Sequence, residues 1–164
     1  KLLKIKKRLF IKSMNSFVGL PHRYEFFLKR KNISFINDSK ATNFQAAKGA
    51  LINNKNIFWI VGGKPKKGDK FNLSAVKNNI IKTYIIGEKI NFFKNELKNK
   101  INFIVTKKLE STIPQVLKDI KSHNLLENIV LLSPCAASFD QFRNFEDRGN
   151  RFKKLCRTYA KKFI

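Results

Sequence analysis

An α/β fold, built on a mostly parallel Rossmann-like sheet with helices on both faces, is predicted by three observations on this 164-residue sequence. Short runs rich in Ile, Val and Phe alternate with longer helical patterns. The stretches between successive runs are long enough for the crossovers that parallel strands require. Polar loops crowded with small residues follow several runs, at the strand ends where open α/β sheets collect ligands.

Taken in order, Leu2 to Ser16 reads as a helix with no strand before it, and Phe17 to Pro21 as a linker. Residues 1–16 are therefore expected to be the tail of an upstream domain, and residues 17–164 one domain of ordinary size. A first residue other than Met agrees with a chain cut from a longer one. Strands are expected at Ile33–Ile36, Ile57–Val61, Thr83–Ile86, Asn102–Val105 and Ile129–Leu132, bounded by Gly, Asn or Ser. Helices are expected at Phe44–Asn53, Leu73–Ile81, Lys89–Lys98 and Ser111–His123, with Pro114 harmless in the first turn of the last. A basic amphipathic helix, about Arg148 to Phe163, closes the chain. An edge strand running antiparallel fits such a sheet.

Composition sets the outer bounds. A hydrophobic content of 43% supports one core. No apolar run approaches the roughly 20 residues that span a bilayer, and the basic start lacks the apolar segment of a signal peptide. A soluble, cytoplasmic protein is expected. Two cysteines, Cys135 and Cys156, have neither metal-ligand nor disulfide-scaffold spacing and should be reduced thiols. The net charge of +24 invites a nucleic-acid reading, but the lysines are scattered through nearly every segment instead of forming a stripe. A solvated lysine surface that steers anionic small molecules is the better account.

Three loops carry chemistry. After Ile33–Ile36 comes Asn37-Asp38-Ser39-Lys40-Ala41-Thr42-Asn43, in which Thr42 or Asn43 can cap the next helix. Asp38 suits ribose hydroxyls, while Lys40 and the helix N-terminus suit a phosphate or carboxylate, although a plain connection reads equally well. After Ile57–Val61 comes Gly62-Gly63-Lys64-Pro65-Lys66-Lys67-Gly68, where glycines allow close approach and lysines supply cationic donors. A basic surface turn is the rival reading. The G-x-x-x-x-G-K-[ST] phosphate loop is absent from the chain, so a triphosphate cradle would have to lie outside it. The third loop, Ser133 to Gly149, follows Ile129–Leu132 and holds Ser133, Ser138 and Asp140. It has no G-x-S-x-G elbow, and His22 and His123 offer no triad order, so binding fits better than covalent catalysis. Phe139, Phe142 and Phe145 have near-helical spacing that suits core packing. Ahead of the first strand, Gly19-Leu20-Pro21-His22-Arg23 supplies Arg23, whose planar fork suits phosphate or carboxylate, and His22, read as structural.

Together, GLPHR at 19–23, INDSKATN at 36–43, WIVGGKPK at 59–66 and LLSPCAASFDQFRNFEDRG at 131–149 resemble the Mur ligase family, in its D-glutamate-adding branch, from Phe17 onwards. That resemblance implies the Mur ligase C-terminal domain, preceded in residues 1–16 by the last helix of an ATP-binding central domain. It implies a role in peptidoglycan precursor synthesis: ATP converts the carboxylate of UDP-N-acetylmuramoyl-L-alanine to an acyl phosphate, which the amine of D-glutamate attacks. Thr42, Lys66, Ser138, Phe139 and Phe145 would form the D-glutamate pocket. Asp38 would face the ribose and Arg23 the phosphates, with Lys40 near both ligands as a catalytic candidate. ATP and Mg2+ would be held mainly by the central domain, the partners would be the protein's own N-terminal and central domains, and a monomer is implied. The chain departs from the family pattern in the order Pro134-Cys135-Ala136 and in Lys-Pro-Lys after the glycines, so Lys66 is chosen over Lys64 and Lys67 by counting from Gly62-Gly63. Two other readings remain: another Mur or folylpolyglutamate-type ligase domain, and a basic nucleic-acid-binding module.

Overall fold

The β-branched and aromatic runs form one six-stranded sheet in the computed structural model, which describes residues 5–17 and 19–163. The elements are α1 (Lys7–Ser16), β1 (Glu25–Arg30), β2 (Ile33–Asn37), α2 (Phe44–Ile52), β3 (Ile57–Gly62), β4 (Ile80–Ile86), α3 (Ile90–Leu97), β5 (Phe103–Lys107), α4 (Leu109–His123), β6 (Asn128–Leu132) and α5 (Phe145–Phe163). Sheet order is β1-β2-β6-β3-β4-β5. Among the strands of the described residues only β1, at one edge, pairs antiparallel; from β2 across to β5 the strands run parallel, with Ile36 opposite Leu131 and Trp59 opposite both Leu131 and Thr83.

Side chains alternate across the strands, so the sheet has two apolar faces. Ile57, Trp59 and Val61 of β3 join Leu131 of β6 under α2 and α3. Phe58 and Ile60 join Val130 and Leu132 under α4 and α5. The expected α/β architecture is therefore present, with helices on both faces. Among the described residues no helix is long and apolar enough to cross a membrane.

Four details differ from the sequence reading. Strand β1 went unassigned because its burial is uneven and Phe26 points outward at 57% exposure, which breaks the period of two. The helix expected over Leu73–Ile81 is instead a turn and one round of 3₁₀ helix at Lys77–Asn79. Leu73, Val76 and Ile80 do have helical spacing and are buried, but Asn72 Oδ1 accepts from the Ser74 amide and hydroxyl, and the run from Ile80 extends as strand. Local Asn bonding and β-branching outweighed the spacing. Helix α4 begins two residues early, which moves Pro114 out of the first turn to its sixth residue, and α5 begins at Phe145 instead of Arg148. Of the expected N-terminal helix, Lys7–Ser16 is helical with no buried residue, and Leu2–Lys4 fall outside the described residues, as does Val18 of the expected linker.

Strand β6 lies between β2 and β3. The loops leaving β2, β3 and β6 consequently meet at the C-terminal edge of the sheet, where open α/β sheets collect ligands.

Candidate functional site

Three polar loops would drift apart unless tied, and one side chain ties them. Arg148, on the first turn of α5, is 1% exposed. Its Nε donates to Ser39 Oγ at 3.0 Å and its Nη2 to the carbonyls of Ser39 (2.8 Å) and Ala136 (3.0 Å), with a longer Nη1 contact to Gly62 O at 3.4 Å. One guanidinium thus spans the loops after β2, β3 and β6. Burial pulls its pKa down to about 10, opposed chiefly by the charge of Asp140, so it stays cationic at neutral pH. Sequence reasoning missed Arg148, because an Arg in so basic a chain carries no signal of burial.

The loops are also laced directly. Lys64 and Ala137 exchange two backbone hydrogen bonds of 2.8 and 3.0 Å, which set the residues flanking Lys66 and Ser138 side by side. Gly63, at φ 128°, leaves no room for a side chain: a Cβ there would collide with the Ala137 carbonyl. Asp140 Oδ2 accepts from the Glu88 amide at 3.0 Å beyond β4, and Gln141 Nε2 donates to Lys107 O at 3.0 Å at the end of β5. Through its backbone at Ala137 and the side chains of Asp140 and Gln141, this last loop therefore bonds to the segments at the ends of β3, β4 and β5. No nucleophile emerges: Ser133 Oγ donates to Asp38 Oδ2 at 2.7 Å, and His123 packs edge-on against Phe58 near the end of α4.

The residues singled out for ligands fall along this rim. Asp38 is 8% exposed and accepts from Ser133 Oγ and, at 3.1 Å, from the Tyr24 amide. Burial raises its carboxyl above the ordinary value, against those bonds and the charge of exposed Arg23. Lys40 lies with its ammonium 3.7 Å from the centre of the Phe145 ring, a cation–π contact. His22, buried at 6% exposure, stands edge-on to the same ring at 5.9 Å, so the two sequence motifs around residues 22 and 145 meet. Its Nδ1 accepts from Asn37 Nδ2 at 2.9 Å, which leaves the proton on Nε2, and burial followed by the Lys153 charge lowers its pKa. Thr42 is half-buried and Lys66 exposed. Ser138 is 2% exposed, its carbonyl accepting from the Gln141 and Phe142 amides, whereas Phe139 stands 68% exposed. The rim therefore gathers Asp38, Lys40, Thr42, Ser138 and Phe145 on adjoining loops, and leaves Phe139 without a wall to complete within this chain.

The α2 N-terminus offers less than its sequence suggested. Asn43, and not Thr42, is its cap, accepting from Ala46 N at 2.8 Å, and Asp69 Oδ2 takes the Phe44 amide at 3.1 Å. Protein groups already occupy those donors. A cleft of about 610 Å³ opens nearby, lined by Glu88, Lys108, Glu110, Asp140, Gln141 and Phe142, and touches none of the expected ligand contacts. Among the described residues no group of three or more His, Cys, Asp or Glu could hold a metal ion.

Comparison with known proteins gives a consistent picture. No family model matches the chain. It is 44% identical over 144 residues to the UDP-N-acetylmuramoylalanine–D-glutamate ligase of Nitrobacter hamburgensis, covering 88% of this chain and 31% of that protein. Against the enzyme of the same name from the Wolbachia of Brugia malayi it is 42% identical over 162 residues, 98% of this chain and 32% of the relative. The Rickettsia conorii counterpart is 37% identical over 95% of this chain and 31% of its own length. The chain thus spans about a third of the length of these curated relatives. In fold it is similar to the bifunctional folylpolyglutamate synthase/dihydrofolate synthase of Yersinia pestis CO92, with a TM-score of 0.60, 13% identity, and coverage of 94% of this chain and 35% of that one.

Proposed function

From the homology of this chain to the C-terminal part of the UDP-N-acetylmuramoylalanine–D-glutamate ligases, we propose that it is the D-glutamate-presenting domain of such a ligase. The observation that carries this reading is the rim itself. Three loops locked together by Arg148 present Lys40, Thr42, Lys66 and Ser138 on one sheet edge, in a chain that aligns along nearly its whole length with about a third of such a ligase.

A dianionic amino acid needs fixed cations and hydroxyls, which Lys66, Thr42 and Ser138 supply, with the Phe145 ring as an apolar wall. Phe139, exposed here, meets ligand or neighbouring domain when the site closes. Arg23 and Asp38 face ATP, the former toward phosphate; both Asp38 oxygens accept bonds here but retain lone pairs for ribose hydroxyls. In the reaction, the terminal phosphoryl group of ATP passes to the carboxylate of UDP-N-acetylmuramoyl-L-alanine and ADP leaves. The unprotonated amine of D-glutamate then attacks the acyl carbon, the C–N bond forms, the acyl C–O bond breaks to release phosphate, and the proton shed by the nitrogen passes to the departing phosphate or solvent. The part played by this chain is to hold the amine against the acyl carbon, which is catalysis by positioning. Lys40, held on Phe145, is placed to balance charge between nucleotide and acceptor. Among the described residues no cluster of three or more His, Cys, Asp or Glu is present, and the proposal assigns the magnesium of ATP to the rest of the protein. Its soluble substrates make it a cytoplasmic enzyme.

The test is kinetic. In the full-length protein, Lys66→Ala and Ser138→Ala should raise the KM for D-glutamate by about 10-fold or more while leaving that for ATP in place. The isolated 164-residue chain should show no ATP-dependent ligation. Unchanged D-glutamate kinetics in both variants, or ligation by the isolated chain, would count against the proposal. Tight, steeply salt-dependent binding of nucleic acid that survives both substitutions would favour the basic-module reading instead.

A further inference from the structure

The lysine loop after β3 is pinned at both ends. At Lys64 it is tied to Ala137 by two backbone hydrogen bonds. At the other end Asp69 Oδ2 accepts from Phe44 N at 3.1 Å, the first amide of α2, while the Asp69 amide closes a turn on Lys66 O at 3.2 Å. Just beyond, Phe71 stacks on Phe44 with ring centres 4.8 Å apart, and its amide donates to Glu96 Oε2 at 2.8 Å. Lys66 therefore lies on a short span between two fixed points, although its side chain is exposed.

We infer that Asp69 is a positioning residue for Lys66: by capping α2 from a distance, it holds the lysine loop beside Thr42 and fixes the reach of Lys66 toward a substrate carboxylate. This rests on the ligase reading. Without the cap, the loop between Ala137 and the Phe71 stack is longer and must be ordered by the substrate, which weakens binding without touching the reacting amine.

The experiment is a double-mutant cycle in the full-length protein, with Asp69→Ala, Lys66→Ala and both. Asp69→Ala should raise the D-glutamate KM about 10-fold, with kcat within about twofold and the other two substrates unaffected. Asp69→Asn, which retains an acceptor oxygen, should recover most of the loss. The double variant should be no worse than Lys66→Ala alone, because residues acting through one another are not additive. Should Asp69→Ala fail to fold, Asp69→Ser replaces it, its hydroxyl stopping short of the Phe44 amide. Additive losses, an unchanged D-glutamate KM, or equal rises for all three substrates would overturn the inference while the ligase reading stands. A parent protein that does not use D-glutamate overturns both.

Discussion

Arg148 and Asp38 are both buried charges at the sheet edge, and their burial has opposite uses. Among the described residues the hydrogen bonds of Arg148 go to hydroxyl and carbonyl oxygens, not to a carboxylate. Arg148→Met would leave the carbonyls of Ser39 and Ala136 without their donor, so urea unfolding should report a loss of about 3 kcal/mol. A loss below about 0.5 kcal/mol would mean that these acceptors find water as readily. Asp38 carries a penalty. Its folded pKa lies above the ordinary 3.8, so below pH 3.8 both states are protonated, between 3.8 and the folded value only the unfolded state ionises and stability falls, and above the folded value the full penalty is present. Asp38→Asn should then unfold at a higher urea midpoint than the parent at pH 7, with the gain vanishing below about pH 3.8 even though nucleotide use is impaired; equal midpoints at pH 7 would refute it. Asp38 and Lys40 could be singled out in the sequence as an acid and a lysine on one short connection, and the structure sets both on the rim of the sheet edge. Arg148 could not be singled out, because two of its partners stand 86 and 109 residues away in sequence.

Most strands and helices with an unbroken apolar period could be read off the chain, but the helical spacing of Leu73, Val76 and Ile80 misled, and the interrupted pattern of β1 gave no signal. The fully buried β3 and the fifteen-residue α4 emerged nearly whole. Strand β1 is half-solvated, yet it is held by Phe27, which packs edge-on to Phe152 at 5.6 Å under the guanidinium of Arg157. Phe27→Ala should lower stability by about 2 kcal/mol through the space it leaves, read as a shift in the denaturation midpoint without a change in slope. Pro114 gives the reverse case. As the sixth residue of α4 it denies the Glu110 carbonyl its helical donor. Pro114→Ala should therefore raise the melting temperature, by the equivalent of about 1 kcal/mol after the greater freedom of the unfolded chain is counted. No rise would mean that the helix already bends around it.

At the scale of the whole molecule, the charge of +24 sets the colloidal behaviour and leaves the fold to the two apolar layers. Self-repulsion among so many lysines predicts that the melting temperature climbs by a few degrees between about 20 and 200 mM salt, since screening shortens its range. A flat response would mean that the charges are already paired by counterions. The α/β class follows from composition and period, apart from the edge strand β1. The site does not, because it is made where β6 inserts between β2 and β3, an order that no local pattern encodes. One consequence of this packing is optical. The chain has a single tryptophan, Trp59, buried in β3 with its indole N–H donated to the Ser133 carbonyl at 2.8 Å, at the root of the loop that leads to Ser138. Emission excited selectively at the red edge of the indole band, where the three tyrosines do not absorb, thus comes from one fluorophore wired to the ligand loop, and a wavelength shift on adding D-glutamate would register that loop's movement with no label attached.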